Sequence, residues 1–256
     1  MKNLLISEFQ RIFSRRKTKI LLMVFLILVV FDCIFLNFGE SIVYDRAGAT
    51  GTLNNLNFPS LAGKEVFINL SLIIFPILFV DSFNGELASG SYRLICIRPV
   101  DRLQLIISKW IAQFSIVFLF LTITFVVSYV YGTYFVVHAD NTTFLNKDIT
   151  YDSLGAFIYT VKFYFILLFI SSSILIIASC VSVILSNPVL SFLLTLGIMV
   201  GSIYVNEKFS YFLSAGEAAF HLLAKSNYTF YLLNGIIILF GALINIAVWR
   251  RKDIYS

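Results

Sequence analysis

Residues 70–110 read LSLIIFPILFVDSFNGELASGSYRLICIRPVDRLQLIISKW, an apolar stretch, a polar insert and the start of a second apolar stretch. The insert covers residues 84–102 and carries Arg93, Arg98 and Arg102. A connection between two packed helices needs only about 2–8 residues. The insert is therefore long enough to hold a short helix at a membrane surface, between two helices that cross the membrane.

The composition predicts several more membrane crossings. The 256-residue chain is 59% hydrophobic and 13% charged, whereas soluble domains average about 25% charged residues. A hydrocarbon core about 30 Å thick takes roughly 20 apolar residues per helix. Six segments fit, at about 20–38, 65–83, 103–131, 156–185, 189–205 and 227–249. We therefore predict an all-α polytopic protein of the lipid bilayer, with one transmembrane domain over residues 1–256.

The N-terminal segment, residues 1–19, predicts an amphipathic helix lying in the membrane interface. Its apolar side chains follow the 3.6-residue helical period and are Leu4, Leu5, Phe9, Ile12 and Phe13. Charged residues cover much of the remaining surface, namely Lys2, Glu8, Arg11, Arg15, Arg16 and Lys17. We expect the basic side of this helix to face anionic lipid.

Other segments depart from plain spans. Pro76 lies inside the second span, where it predicts a kink. Residues 206–226 are too polar to cross a membrane and too apolar for a simple loop, so we expect a short re-entrant or interfacial helix pair there. Residues 39–63 and 138–155 are polar and are expected to form loops.

The basic residues indicate the orientation. With a cytoplasmic N-terminus, the inner segments hold thirteen of the 19 Lys and Arg residues and the outer segments hold six. Cytoplasmic segments of membrane proteins are enriched in these residues. Both termini and the insert are therefore expected in the cytoplasm. The net charge of +5 reflects this orientation rather than binding to nucleic acid.

No motif for catalysis or for a cofactor occurs in the chain. A G-x-x-x-x-G-K-[ST] loop, which would cradle nucleotide phosphates, is absent from the sequence. The sequence has no H-E-x-x-H or G-x-S-x-G motif, and His138 and His221 lie in different loops. We expect no catalytic residue, no metal site and no cofactor in this chain.

Asp32 is a carboxylate inside the first span. Such a group costs about 3 kcal/mol on membrane-insertion scales, so it should face protein or water. One interpretation is a polar point on a translocation path. The other, which we favour, is a hydrogen-bonded residue near the outer head groups, since Asn37 and Glu40 follow closely.

Gly197 and Gly201 form a G-x-x-x-G pair in the fifth span. Small residues at this spacing let two helix backbones approach closely. The pair can serve packing within the subunit, the interpretation we favour, or contact with a second chain.

The insert and its surroundings resemble a known family. Glu86-x-x-x-Gly90-Ser91-x-Arg93 is followed by Arg98-Pro99-Val100-x-Arg102 and then by Ser108-Lys109. Together with a basic amphipathic N-terminal helix and six spans, this pattern resembles the permease subunit of type-2 ABC exporters. Chains of this length without a fused ATPase are similar to permeases of lantibiotic immunity, bacitracin-type resistance and peptide export.

The resemblance implies a mechanism. The insert would hold a coupling helix that sits in a groove of a separate ATPase, with Glu86, Gly90, Ser91, Arg93, Arg98 and Arg102 as the coupling residues. Residues 1–19 would be the connecting helix, and 206–226 the re-entrant outer helices. Two ATPase chains, which carry ATP and Mg, and two permease chains, identical or paralogous, would form the working unit in a bacterial-type plasma membrane.

Three functions are compatible with these features. The first is the permease of an ATP-driven exporter for a hydrophobic or amphipathic substrate, such as a peptide, an antibiotic or a lipid-like molecule. The second is a non-transporting sensor or assembly subunit on the same scaffold, which would bind the ATPase without substrate-dependent turnover. The third is a membrane enzyme, for which Asp32 is the one candidate residue.

Overall fold

The computed structural model describes residues 2–39, 41–46, 48–88, 102–225 and 227–251. The α-helices in these ranges are α1 Lys2–Ser14, α2 Arg16–Asn37, α3 Phe58–Asn69, α4 Phe75–Ala88, α5 Arg102–Phe135, α6 Ser153–Ile184, α7 Pro188–Val205, α8 Ala215–Ala224 and α9 Tyr228–Arg251. A π-helical turn, Leu70–Ile74, joins α3 to α4, and a 3₁₀ helix, Glu207–Phe212, precedes α8.

Among the described residues, six helices are long and apolar enough to cross a membrane, which confirms the predicted number of spans. They cover Arg16–Asn37, Phe58–Gly85, Leu103–Phe135, Ser153–Ile184, Pro188–Val205 and Tyr228–Trp249. Helix α1, the later part of α4, the start of α5 and the end of α9 lie at one end of this bundle, here called the termini end. The other end is called the hairpin end.

The second span begins at Phe58, earlier than the predicted residue 65. The sequence Phe58-Pro59-Ser60-Leu61-Ala62-Gly63 contains Pro, Ser and Gly and was therefore assigned to a loop. In the structure Pro59 occupies the first turn of α3, where its missing N–H costs no hydrogen bond. The irregularity expected at Pro76 takes the form of the π-helical turn just before it, which is one way a helix accommodates a missing backbone donor.

Helix α6 forms the centre of the bundle. Its side chains are buried along most of its length, and it packs against α4, α5, α7, α8 and α9. A second group of contacts joins the first three spans through Phe25, Phe75 and Phe120, with the Phe25 and Phe120 ring centroids 4.5 Å apart. In contrast, α2, α7 and α9 leave most of their apolar surface exposed, as helices do that face lipid or another chain.

Two β-hairpins cover the hairpin end, where the sequence predicted loops. Antiparallel strands β1 Ser41–Val43 and β2 Thr50–Thr52 form the first, and β3 Asn141–Thr143 and β4 Thr150–Asp152 form the second. Each strand has only three residues, which is too short for an alternating pattern to be recognised in the sequence. The all-α class still describes the fold.

Buried hydrogen bonds join the two hairpins. The Tyr44 hydroxyl donates to the carbonyl of Thr143 at 3.0 Å, and Asn54 Nδ2 donates to Thr142 Oγ1 at 2.9 Å. Asn57 Nδ2 donates to the Tyr44 hydroxyl at 3.2 Å. Burial raises the pKa of Tyr44 to about 12, opposed by the Asn57 hydrogen bond, so the hydroxyl stays protonated as a donor.

The 3₁₀ helix and α8 occupy the segment for which a helix pair was predicted. Helix α8 approaches α3 closely at Gly216, where a Cβ atom would come within 2.4 Å of Lys64 Cγ. Two polar contacts link α8 to the first hairpin: Arg46 Nε lies 3.5 Å from Glu217 Oε2, and His221 Nε2 lies 3.4 Å from Asp45 Oδ2. The first hairpin and α8 therefore form a common cover over α3.

Candidate functional site

The candidate site lies at the termini end, where α4 leads into the insert and α5 leaves it. Four predicted coupling residues, Gly90, Ser91, Arg93 and Arg98, lie outside the described residues. Glu86 lies in the last turn of α4, and Arg102 begins α5. The structure therefore describes the parts of α4 and α5 that flank the insert. Their contacts involve residues to which the sequence analysis assigned no function.

A buried ion pair joins α1 to α5. The Lys109 side chain is fully buried, with Nζ 3.6 Å from Glu8 Oε1. The same Nζ donates to the carbonyl oxygen of Ser82 in α4 at 3.1 Å. A lysine removed from water is stable only when anionic or acceptor groups surround it. Lys109 therefore holds three helices at one point.

Glu8 is itself buried, although α1 lies at the edge of the bundle. Its carboxylate also pairs with Arg11, one turn further along α1. Burial lowers the pKa of the Arg11 guanidinium, and the Glu8 charge acts in the opposite direction. An arginine remains charged despite such a shift, so Arg11 is a fixed positive charge near Lys109, and Glu8 lies beside both cations.

A second ion pair connects the start of α2 to the end of α4. Arg15, the single residue between α1 and α2, pairs with the Asp81 carboxylate and donates to the Asp81 carbonyl at 3.2 Å. Gly85 lies one turn beyond Asp81, and a Cβ there would approach Arg15 NH1 to 3.3 Å. The absence of a side chain at Gly85 thus leaves room for the arginine.

The prediction that the basic side of α1 faces anionic lipid is wrong for Arg11 and Arg15. Both guanidinium groups contact protein carboxylates, and Glu8 points into the bundle instead of toward solvent. The reason is that the ends of α4 and α5 supply Asp81 and the Lys109 ammonium on the side that α1 covers. We call Glu8, Arg11, Arg15, Asp81 and Lys109 the ionic cluster.

Helix α4 is also attached to α7 beside the ionic cluster. The fully buried Asn84 donates from Nδ2 to Ser191 Oγ at 2.6 Å. Ser191 lies in the first turn of α7, whose N-terminus is capped by Asn187 through a hydrogen bond to Val189 N. The later part of α4, which leads into the insert, is therefore bonded to α5, to α7 and to Arg15, which directly follows α1.

The sequence offered partial signals for these contacts. Lys109 belongs to the family pattern, and Asp81 lies near the predicted end of the second span at residue 83. Glu8 is an acidic residue in an otherwise basic helix, which is a signal for a pairing partner inside the protein. Asn84 and Ser191 gave no signal, because their contact joins segments that are distant in sequence.

Asp32 lies at the hairpin end, away from the ionic cluster. It lines a cavity of about 550 Å³ between α2, α3 and the first hairpin, together with Lys64 and Glu65. Asp32 Oδ2 is buried and has no hydrogen-bond partner among the described residues. Lys64 Nζ lies 3.5 Å from Glu65 Oε1 and donates to the Val43 carbonyl at 2.7 Å.

The G-x-x-x-G pair in α7 faces away from its own chain. A Cβ atom added at Gly197 or at Gly201 would meet nothing within 4 Å. The favoured interpretation, packing within the subunit, is therefore wrong for the part of the chain that the structure describes. The reason is that α7 packs through its other face, on α4 and α6.

Little in this arrangement supports bond-breaking chemistry. Among the described residues no group of three or more His, Cys, Asp or Glu side chains could hold a metal ion. The ionic cluster instead connects helices, which suits the transmission of movement. Six candidate spans joined in this way define a polytopic membrane protein of the kind that transmits movement between helices.

Comparison with known families agrees with this class. The family model described as ABC-2 family transporter protein matches residues 3–245. The chain therefore belongs to the ABC-2 transporter family and is a membrane-spanning permease subunit of an ABC transporter, which is a transport subunit and not itself catalytic. None of the curated proteins compared with the chain matches its sequence.

A double-mutant cycle tests the buried pair between α1 and α5. Glu8→Gln and Lys109→Gln should each lower the free energy of unfolding, by about 3–5 kcal/mol for loss of one member of a buried pair. The double variant should recover about 1–3 kcal/mol relative to the sum of the singles, because the two groups interact directly. Thermal or denaturant unfolding of the purified chain in detergent measures these values.

The control for this cycle is Lys17→Gln. Lys17 Nζ lies 4.0 Å from Asp81 Oδ1, but the Lys17 side chain is 87% exposed, so we expect no measurable effect. Additive effects of the Glu8 and Lys109 substitutions would contradict a direct interaction between the two groups.

Proposed function

We propose that this permease is the transmembrane subunit of an ATP-driven exporter and that a separate ATPase drives it through the insert at residues 84–102. The observation that carries the proposal is the ionic cluster, which joins the two helices that flank the insert to the N-terminal segment: α5 pairs with α1, and α4 pairs with Arg15 just after α1. Nucleotide-driven movement of an ATPase groove would displace the insert, and the cluster would pass that displacement to the first three spans. ATP and Mg would be bound by the ATPase.

The coupling residues of the proposal are those of the family pattern. Glu86 would pair with a basic residue of the ATPase and Arg93 with an acidic one, since charge pairs fix the register of such contacts. Gly90 and Ser91 would permit close approach of the two chains, and Arg98 and Arg102 would add positive charge at the same surface.

The proposed orientation has the termini end in the cytoplasm of a cell with a bacterial-type plasma membrane. Its support is the distribution of basic residues, with thirteen of 19 in the segments that the sequence predicts to be cytoplasmic. Such an excess near short segments sets orientation during insertion. An ATPase in the cytoplasm would then meet the insert directly.

The proposed assembly has two ATPase chains and two permease chains. The open surface of α7 around Gly197 and Gly201 supports a permease–permease contact, because small residues let helices approach closely in lipid. Identical and paralogous partner chains would both fit an apolar surface of this kind.

The proposed substrate is hydrophobic or amphipathic: a peptide, an antibiotic or a lipid-like molecule, as for permeases of lantibiotic immunity, bacitracin resistance or peptide export. Asp32 is proposed to lie on its path. The support is the cavity beside Asp32 and the unpartnered Oδ2 atom, since polar groups at membrane depth usually serve a path or a binding site.

Glu86→Ala and Arg93→Ala test coupling through the insert. Each should reduce the stimulation of ATPase activity roughly tenfold, as expected from a loss of about 1.4 kcal/mol of docking energy. Lys19→Gln, a charge change on α2 at the same end, should leave stimulation intact. The measurement is ATP hydrolysis by the reconstituted complex, with membrane insertion checked in parallel.

Unchanged stimulation in both insert variants would contradict coupling through Glu86 and Arg93. Binding of the ATPase without any turnover that depends on substrate would instead favour the sensor or assembly subunit.

Gly197→Leu and Gly201→Leu test the permease–permease contact. A leucine would hold the two helices apart and cost about 1–3 kcal/mol at a closely packed contact, so the dimer fraction should fall. Gly235→Leu is a matched control, because a Cβ at Gly235 in α9 also meets nothing within 4 Å. Mass photometry of the purified permease in detergent or nanodiscs measures the dimer fraction. Equal losses in all three variants would argue against a specific contact at α7.

Asp32→Asn tests the translocation path with a neutral side chain of the same size. Cells that express the permease with its ATPase should lose protection against amphipathic peptide antibiotics, while the amount of assembled complex stays constant. Asp148→Asn, in the exposed loop of the second hairpin, should retain protection. Full protection by the Asp32→Asn variant would show that the Asp32 carboxylate has no part in translocation.

A further inference from the structure

A cavity of about 570 Å³ lies at the hairpin end, between the 3₁₀ helix, α8 and the start of α9. Its charged and titratable lining consists of Lys208, His221 and Lys225, together with Tyr211. No Asp or Glu is among the described residues that line it. The cavity is therefore electropositive, which favours an anionic occupant.

Two carboxylates close to His221 already have partners. Glu217, one turn before His221, lies 3.5 Å from Arg46, and Asp45 lies 3.4 Å from His221. Neither Lys208 nor Lys225 has an ion pair with any residue that the structure describes. The positive charge of these two lysines is thus available to a ligand.

The N-terminus of α9 adds positive potential to the same cavity. Helix α9 has 24 residues and no acidic residue in its first turn. Asn227 caps it by accepting a hydrogen bond from Thr229 N at 3.0 Å, and Asn227, Thr229 and Phe230 line the cavity. The partial positive charge at a helix N-terminus stabilises an anion such as phosphate.

Tyr211 supplies an independent sign of a missing partner. The residue is only 2% exposed, yet its hydroxyl makes no hydrogen bond with the rest of the described chain. Buried tyrosine hydroxyls usually have a partner. Burial raises the pKa of Tyr211 above its ordinary value, so the group remains a neutral donor, suited to an anionic oxygen.

An apolar slot lies next to this electropositive cavity. The slot has a volume of about 370 Å³ and is lined by Lys162, Phe165, Ile166, Phe169, Leu223 and Tyr231. Leu222 and Phe230 line the cavity, and the next residues, Leu223 and Tyr231, line the slot. The two spaces therefore border the same two helices, which suits a ligand with a charged head and an apolar chain.

We propose that this cavity binds the phosphate head group of an anionic phospholipid, with an acyl chain in the apolar slot. Lys208 and Lys225 neutralise the phosphate, the N-terminus of α9 adds favourable potential, and the Tyr211 hydroxyl donates a hydrogen bond. The site lies at the opposite end from the ionic cluster and requires neither the ATPase nor transport. Its test is therefore separate from that of the proposed function.

The experiment uses the full-length permease, purified in a neutral detergent. Phosphatidylglycerol, phosphatidylcholine and inorganic phosphate are titrated separately, and binding is followed by native mass spectrometry and by the shift in unfolding temperature. We expect tight binding of phosphatidylglycerol, weaker binding of phosphatidylcholine, whose choline group opposes the lysines, and no saturable binding of free phosphate.

Substitutions locate the binding. Lys208→Gln and Lys225→Gln should each weaken phosphatidylglycerol binding about fivefold, the effect of about 1 kcal/mol per basic residue near anionic lipid. Tyr211→Phe should leave the lipid-free protein equally or more stable, because an unpartnered buried hydroxyl is removed, and should still reduce the lipid-induced shift. Lys147→Gln, an exposed lysine in the second hairpin, is the charge-matched control.

Each other outcome overturns part or all of the proposal. Equal phosphatidylglycerol binding by the Lys208, Lys225 and Lys147 variants would show that the cavity is not the site. A different result is that free phosphate competes at the same concentration as the lipid and depends on the same lysines. That result would identify the ligand as a soluble anion and not a phospholipid. Unchanged lipid stabilisation in Tyr211→Phe would remove the hydroxyl from the site.

Discussion

The buried charge of Lys109 is the constraint on which the termini end depends. A lysine in α5 that reaches neither water nor lipid head groups must be compensated by groups inside the protein, and Glu8 and the Ser82 carbonyl face it. Because Glu8 belongs to α1, the N-terminal helix cannot move away from the bundle without separating this pair. Arg15 and Asp81 repeat the constraint at the other end of α1. The surface helix is thereby part of the transmembrane unit, although its composition alone describes a peripheral element.

The two ends of the bundle are held together by different chemistry. Buried charge pairs join helices at the termini end, whereas the two hairpins are joined by neutral hydrogen bonds among Tyr44, Asn54, Asn57 and backbone carbonyls. The Arg46–Glu217 pair at the hairpin end is more exposed. Neutral bonds of this kind have short range and strict geometry, so they favour one arrangement. Charge pairs act over longer distances and depend less on direction, so helices joined by them can shift by small amounts without losing all attraction. In the proposed coupling, the helices at the termini end would therefore shift more readily than the hydrogen-bonded layer at the hairpin end.

The number of membrane spans could be predicted from the sequence, but the contacts between side chains of different helices could not. Six spans follow from the need to match hydrocarbon thickness with apolar length, and the structure confirms that number. The start of the second span was missed because Pro59 and Gly63 resemble loop residues, and the hairpins were missed because three-residue strands carry no readable period. At the site, an amphipathic pattern showed that α1 has a charged side but not which charges meet protein. The contact of Glu8 with Lys109 joins residues far apart in the sequence, and a single sequence gives no measure of such proximity.

The hydrogen bond between Asn84 and Ser191 relates the insert to the open face of α7. Asn84 lies in the final part of α4, two residues before Glu86, and Ser191 lies in the first turn of α7. Gly197 and Gly201 follow on the same helix, with no side chain of this subunit near them. A helix is stiff over such a distance, so any displacement of α4 by the insert also shifts the surface that carries the two glycines. Conversely, a chain packed against that surface would restrict α4. The insert and the open face of α7 would therefore influence each other reciprocally, since both are attached to α4. This requires only that the Asn84–Ser191 hydrogen bond persist while α4 moves.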